Sequence, residues 1–94
     1  MLAPADDDWN VQHIPGSPGR LDAKYVGDMG AAEGWAVQYR PFSGQSWIDL
    51  LQGSLNDELE LPMDPWPEDG VFVRAGFTKD DVPTGLWSNV KGPV

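Results

Sequence analysis

"SWIDLLQGSLND", residues 46–57, decides how the whole chain is read. Ser46 followed three residues later by Asp49 is a capping-box arrangement, in which side chains satisfy the backbone N–H groups left open at a helix start. Trp47, Ile48, Leu50, Leu51 and Leu55 then fall at helical spacing along one face. The stretch therefore predicts a helix near 46–53, ended by Gly53, with Ser54 to Asp57 capping a second short turn before Pro62. A helix set among strands makes the domain α+β.

The strands are expected on either side. "RLDAKYV" (20–26) alternates Leu21, Ala23 and Tyr25 against Asp22 and Lys24. "GWAVQYRP" (34–41) alternates Trp35, Val37 and Tyr39 against Ala36, Gln38 and Arg40, and Pro41 ends it. "GVFVRAGF" (70–77) turns Val71, Val73, Ala75 and Phe77 inward and Phe72 and Arg74 outward. Between the first two, "VGDMGAAEG" has three glycines and predicts a hairpin loop. Thr78 to Asp81 opens a final turn that Pro83 and Gly85 keep short. The expected fold is thus a small α+β domain: a short antiparallel sheet of three strands with one main helix on its apolar face.

Ninety-four residues suffice for one domain and one modest core. Gly 11 and Pro 9 favour turns and short elements over a bundle. Residues 1–20, with Pro4, Pro15, Pro18 and the Asp6-Asp7-Asp8 run, read as an extended arm that Trp9, Val11 and Ile14 could pin down. Residues 21–94 read as the single compact domain. The N-terminus lacks a basic n-region and an apolar h-region, and no apolar run approaches a membrane span. With no cysteine for disulfides, the expectation is a soluble, cytoplasmic protein.

Most chemistry is missing. His13 is the only histidine and lies in the arm, so a two-histidine metal site and a Ser-His-Asp set near "FSGQSW" both lack their parts. No phosphate-cradling glycine motif is present, and the acids of "GDMGAAEG" would repel phosphate. Reading back from Gly70, the EF-hand ligand positions hold Pro65, Pro67 and Asp69, so that calcium motif fails. No enzyme activity, cofactor or metal is expected.

Charge is the positive signal. Fifteen acids against six bases give −9, which repels nucleic acid and anionic membranes and attracts basic surfaces. Between Arg40 and Arg74 lie 33 residues with seven acids and no base. Within them, "ELELPMDPWPEDG" (58–70) holds five carboxylates, with Pro62, Pro65 and Pro67 keeping the chain extended. Met63 and Trp66 sit among the charges, an apolar anchor in a polar rim. The candidate partner-binding residues are Asp57, Glu58, Glu60, Met63, Asp64, Trp66, Glu68 and Asp69. Of the other tryptophans, Trp35 and Trp47 are expected in the core, and Trp9 and Trp87 at a partner.

The leading reading is a small acidic binding protein that occupies a basic, nucleic-acid-binding surface of a larger protein machine. In size, charge and absent chemistry it is similar to phage-encoded anti-defence or anti-CRISPR inhibitors and to immunity proteins. The runner-up is a structural, decoration or adaptor subunit of a virion or other assembly, with capsid-type neighbours or copies of itself around it. A carbohydrate-binding module, using tryptophan platforms, is the third reading.

Overall fold

The computed structural model describes residues 3–16, 18–27, 33–41, 46–54, 57–63 and 66–94, with 49–51 described as backbone alone. A 3-10 turn at Asp6–Asp8 leads into seven strands: β1 (Trp9–Ile14), β2 (Gly19–Tyr25), β3 (Gly34–Pro41), β4 (Ile48–Ser54), β5 (Glu58–Met63), β6 (Val71–Lys79) and β7 (Val82–Trp87). They form two antiparallel sheets, ordered β1-β2-β5 and β4-β3-β6-β7. The α+β expectation is overturned. Among the described residues there is no α-helix, and the domain is nearly all β.

The residues expected to form the helix are strand β4. Short apolar runs fit either period, and here pairing decides. β4 lies along one edge of β3, with Val37 opposite Leu51 and Trp35 opposite Gly53, and so satisfies backbone groups that an edge would leave open. Gly53 has a strand reason to be glycine: a Cβ there would stand 2.8 Å from the Leu59 side chain. Ser46 sits in a bend before the strand instead of capping a helix.

β2, β3 and β6 fall on the three stretches read as strands, but in two sheets, not one. The hairpin expected between β2 and β3 does not form, because β2 pairs with β1 and β5, and β3 with β4 and β6. Alternation tells a strand which face is apolar and leaves its neighbour open. β1 lies within the first twenty residues and pairs with β2 from Trp9↔Tyr25 to Ile14↔Arg20.

The inner faces of both sheets share one core. Trp9, Leu21, Ala23, Tyr25 and Leu59 come from the first sheet, and Trp35, Val37, Val71, Val73 and Ala75 from the second. Trp9 and Trp35 are both fully enclosed, at 0% exposure. Each such ring removes about 150–250 Å² from water, roughly 4–6 kcal/mol of transfer free energy. The Tyr25 ring crosses between the layers, meeting Trp35 edge-on at 5.9 Å and Phe77 at 5.7 Å. Trp9 therefore belongs to the core and not to a partner contact.

Two local features hold the ends of the layers. Lys79 pairs with Val82 across a tight turn at Asp80–Asp81, whose φ angles of 53° and 62° lie in the left-handed region. The chain after β7 returns along β6: Lys91 and Val73 exchange N–H donors, as do Val94 and Val71. The Lys91 ammonium donates to the carbonyl oxygens of Asp6 and Trp9 and lies 4.3 Å from the Trp9 ring centre.

Candidate functional site

The register of the first sheet places Lys24 opposite Glu58, Asp22 opposite Glu60 and Arg20 opposite Pro62. All belong to the outer face, since Leu21, Ala23 and Leu59 occupy the inner one. The carboxylates of Asp22, Glu58 and Glu60 come within 4.8 Å of one another. Asp22 is 4% exposed, and both its oxygens are taken by Arg20, through Nε at 2.6 Å and Nη2 at 3.1 Å. The hydrogen bond to Asp22 holds the Arg20 guanidinium above its ordinary pKa, against desolvation that lowers it and with help from the fields of Asp22, Glu60 and Glu58. The cluster thus turns two exposed carboxylates, Glu58 and Glu60, toward solvent. A shallow depression of about 260 Å³ beside them is lined by Asn10, Gln12, Asp22, Lys24 and Glu58.

The remaining sequence-predicted site residues do not form one ridge with these. Asp57 is exposed at the β4–β5 turn, where its carboxylate accepts from the Ser54 N–H at 3.2 Å. Met63 points inward and packs against the core, opposite Gly19. Asp64 lies outside the described residues. Trp66 stacks on His13 with centroids 3.8 Å apart and planes 7° apart, over Gly19. Glu68 and Asp69 are exposed beyond it, in a turn closed by the Gly70 N–H donating to the Pro67 carbonyl. Trp66, Glu68 and Asp69 share a separate depression of about 350 Å³ with His13 and the C-terminal Pro93 and Val94.

The outer face of the second sheet carries a group that sequence reasoning missed. Gln38 lies directly opposite Arg74, and Arg40 opposite Phe72. The Arg74 guanidinium sits 4.3 Å from the Trp47 ring centre and 4.8 Å from that of Trp87. Arg40 lies 5.4 Å from Trp47 and 4.8 Å from Phe72. Phe72, Arg40, Trp47, Arg74 and Trp87 therefore alternate ring and cation across the face, each half-buried. Gln38 Oε1 accepts from Arg74 Nε at 2.9 Å and Nη2 at 2.6 Å. Burial holds the Arg74 pKa below its ordinary value. Glycine makes room for Trp87: a Cβ on Gly76 would meet its ring at 3.0 Å.

Trp47 is thus half-exposed on an outer face and not in the core, because the helix that would have turned it inward is a strand that begins after it. The outward positions of Gln38, Arg40, Phe72 and Arg74 were legible from alternation. Their convergence was not, since it depends on the β3–β6 register and on β4 and β7 bringing the tryptophans alongside. No family model, curated protein or solved structure matches this chain. No helix among the described residues is long and apolar enough to cross a membrane.

Proposed function

We propose that this protein is a non-enzymatic binding module, acting in the cytoplasm, whose acidic face docks on a basic surface of a larger protein. The observation that carries the reading is the convergence of Asp22, Glu58 and Glu60, with the last two exposed on the outer face of the first sheet. A net charge of −9 adds long-range attraction toward a lysine- and arginine-rich surface, the kind that serves nucleic acid. The test is affinity capture from the cell that makes the protein, comparing wild type with Glu58→Lys/Glu60→Lys. Wild type captures a basic protein that salt releases and double-stranded DNA displaces, and the double variant does not. Equal capture by the double variant rules the acidic face out.

One observation favours a second reading, a subunit of a larger assembly. The two outer faces differ in character, one presenting carboxylates and the other arginines between aromatic rings. A molecule with unlike faces on its two sides has the means to bridge neighbours.

A further inference from the structure

We propose that the hollow at the Gly34 end of the second sheet's outer face binds the guanidinium of an arginine side chain carried by a peptide segment. The hollow holds about 550 Å³ and has in its wall Gly34, which lies between Ser54 on β4 and Thr78 on β6. Glycine is required there: a Cβ would stand 2.7 Å from the Gly53 carbonyl oxygen and 2.8 Å from Thr78 Oγ1. Its missing side chain leaves both oxygens uncovered. Thr78 is only 5% exposed, lines the hollow, and finds no partner for its hydroxyl among the described residues. A buried hydroxyl in that state is unfavourable, and a donor seated in the hollow removes the penalty.

Charge makes the occupant a cation. Glu33, Asp80 and Asp81 complete the wall on the side of the β6–β7 turn. None of the three has a cation within 4 Å among the described residues, and no lysine or arginine lines the hollow. Glu33 Oε2 accepts from the Asp80 N–H at 3.2 Å, which fixes the carboxylate beside the turn and leaves Oε1 for a ligand.

Spacing then selects the kind of cation. Among the described residues only Asp22, Glu58 and Glu60 bring three carboxylates within 4.8 Å of one another. Glu33, Asp80 and Asp81 stand wider than one metal ion would gather them. A guanidinium, with its N–H donors spread in one plane, reaches acceptors set that far apart. The volume also lies in the range of roughly 300–1,000 Å³ found for organic ligands. Gln52 and Ser54 line the opposite side, on β4, two strand spacings or roughly 9–10 Å from β6. They carry no charge and offer an amide and a hydroxyl. Peptide N–H and C=O groups match these, and an extended arginine side chain joins the two ends.

None of Asp22, Glu58 and Glu60 lines this hollow, so it stands apart from the proposed docking face and fails or succeeds independently of it. The experiment is a ¹⁵N–¹H titration of the wild type, which needs no variant to fold, with N-acetyl-arginine amide. The backbone N–H signals of Gly34, Gly53, Thr78 and Asp80 should shift together and half-saturate at about 1 mM, while that of Lys24 stays fixed. N-acetyl-citrulline amide, which has the same shape and no charge, should leave them unmoved, and calcium chloride should not saturate them. Thr78→Val keeps the shape without the hydroxyl and should weaken binding about threefold or more. Asp80→Asn/Asp81→Asn keeps residues that tolerate a left-handed turn and should weaken it about tenfold or more. Glu58→Lys/Glu60→Lys should bind the arginine derivative as the wild type does. The inference is overturned by no shift up to about 20 mM, by equal binding of the citrulline derivative, or by calcium saturating the same signals at lower concentration. Wild-type affinity in either hollow variant overturns it as well.

Discussion

Trp9 and Trp35 have no exposed surface, and their indole N–H groups find no acceptor among the described residues. Burial and ring contacts, Lys91 on Trp9 and Tyr25 on Trp35, hold them, and truncation leaves a cavity. Trp9→Ala and Trp35→Ala should each cost about 3–5 kcal/mol in urea unfolding, a large part of the roughly 5–15 kcal/mol that holds a domain together. Trp47→Ala removes only a half-exposed ring and its two cation–π contacts, and should cost about 1–2 kcal/mol. A loss of about 4 kcal/mol for Trp47 would place it in the core. Trp35 was legible because clean alternation surrounds it. Trp9 was not, because Pro4 and three aspartates precede it and polar Gln12 and His13 blur the period of β1.

At the scale of elements, β7 shows how little a strand needs to announce itself. Its sequence, VPTGLW, contains proline and glycine, and most of its side chains are exposed, so no apolar face marks it. It is held by the Asp80–Asp81 turn at one end and by the Trp87 ring resting on Gly76 at the other. Each device makes a prediction. Asp81→Gly relieves a left-handed conformation that a Cβ disfavours, and should raise stability by about 1 kcal/mol in thermal unfolding. Gly76→Ala pushes the Trp87 ring away from the sheet and should cost about 1–3 kcal/mol, with a shift of the Trp87 indole signal. The strands β2, β3 and β6 were legible because one buried face imposes period two. Strand β4 was not, since Ile48 to Leu51 serve either period and the choice lies with the open edge of β3, a neighbour that periodicity within 46–57 does not reveal. The acidic stretch was legible as composition only: β5 sends Glu58 and Glu60 outward and Leu59 inward, and its division between two surfaces follows from pairing with β2.

For the whole molecule, every sheet contains strands far apart in the chain: β2 with β5, and β3 with β6. Such pairings close long loops before they gain contacts, so folding should be slow for the size, in the millisecond-to-second range by stopped-flow tryptophan fluorescence. Microsecond folding would mean that local hairpins dominate. Net charge acts at the same scale. Fifteen acids outnumber six bases, so compaction works against self-repulsion. The melting temperature should rise between about 0.01 and 0.15 M sodium chloride, and Glu68→Lys/Asp69→Lys should flatten that rise while changing stability by no more than about 0.5 kcal/mol per site.

The Lys91 ammonium bound to the carbonyls of Asp6 and Trp9 gives the molecule a mechanical property. It ties the segment entering β1 to the segment that returns along β6, so one side chain bridges the two layers near both ends of the described chain. Tension drawing those segments apart loads this clasp ahead of either sheet. In a single-molecule pulling experiment through residues 3 and 94, the wild type should yield in two steps, a small early release followed by rupture of the sandwich. Lys91→Met, which keeps the stem and removes the charge, should lose the first step and keep the second.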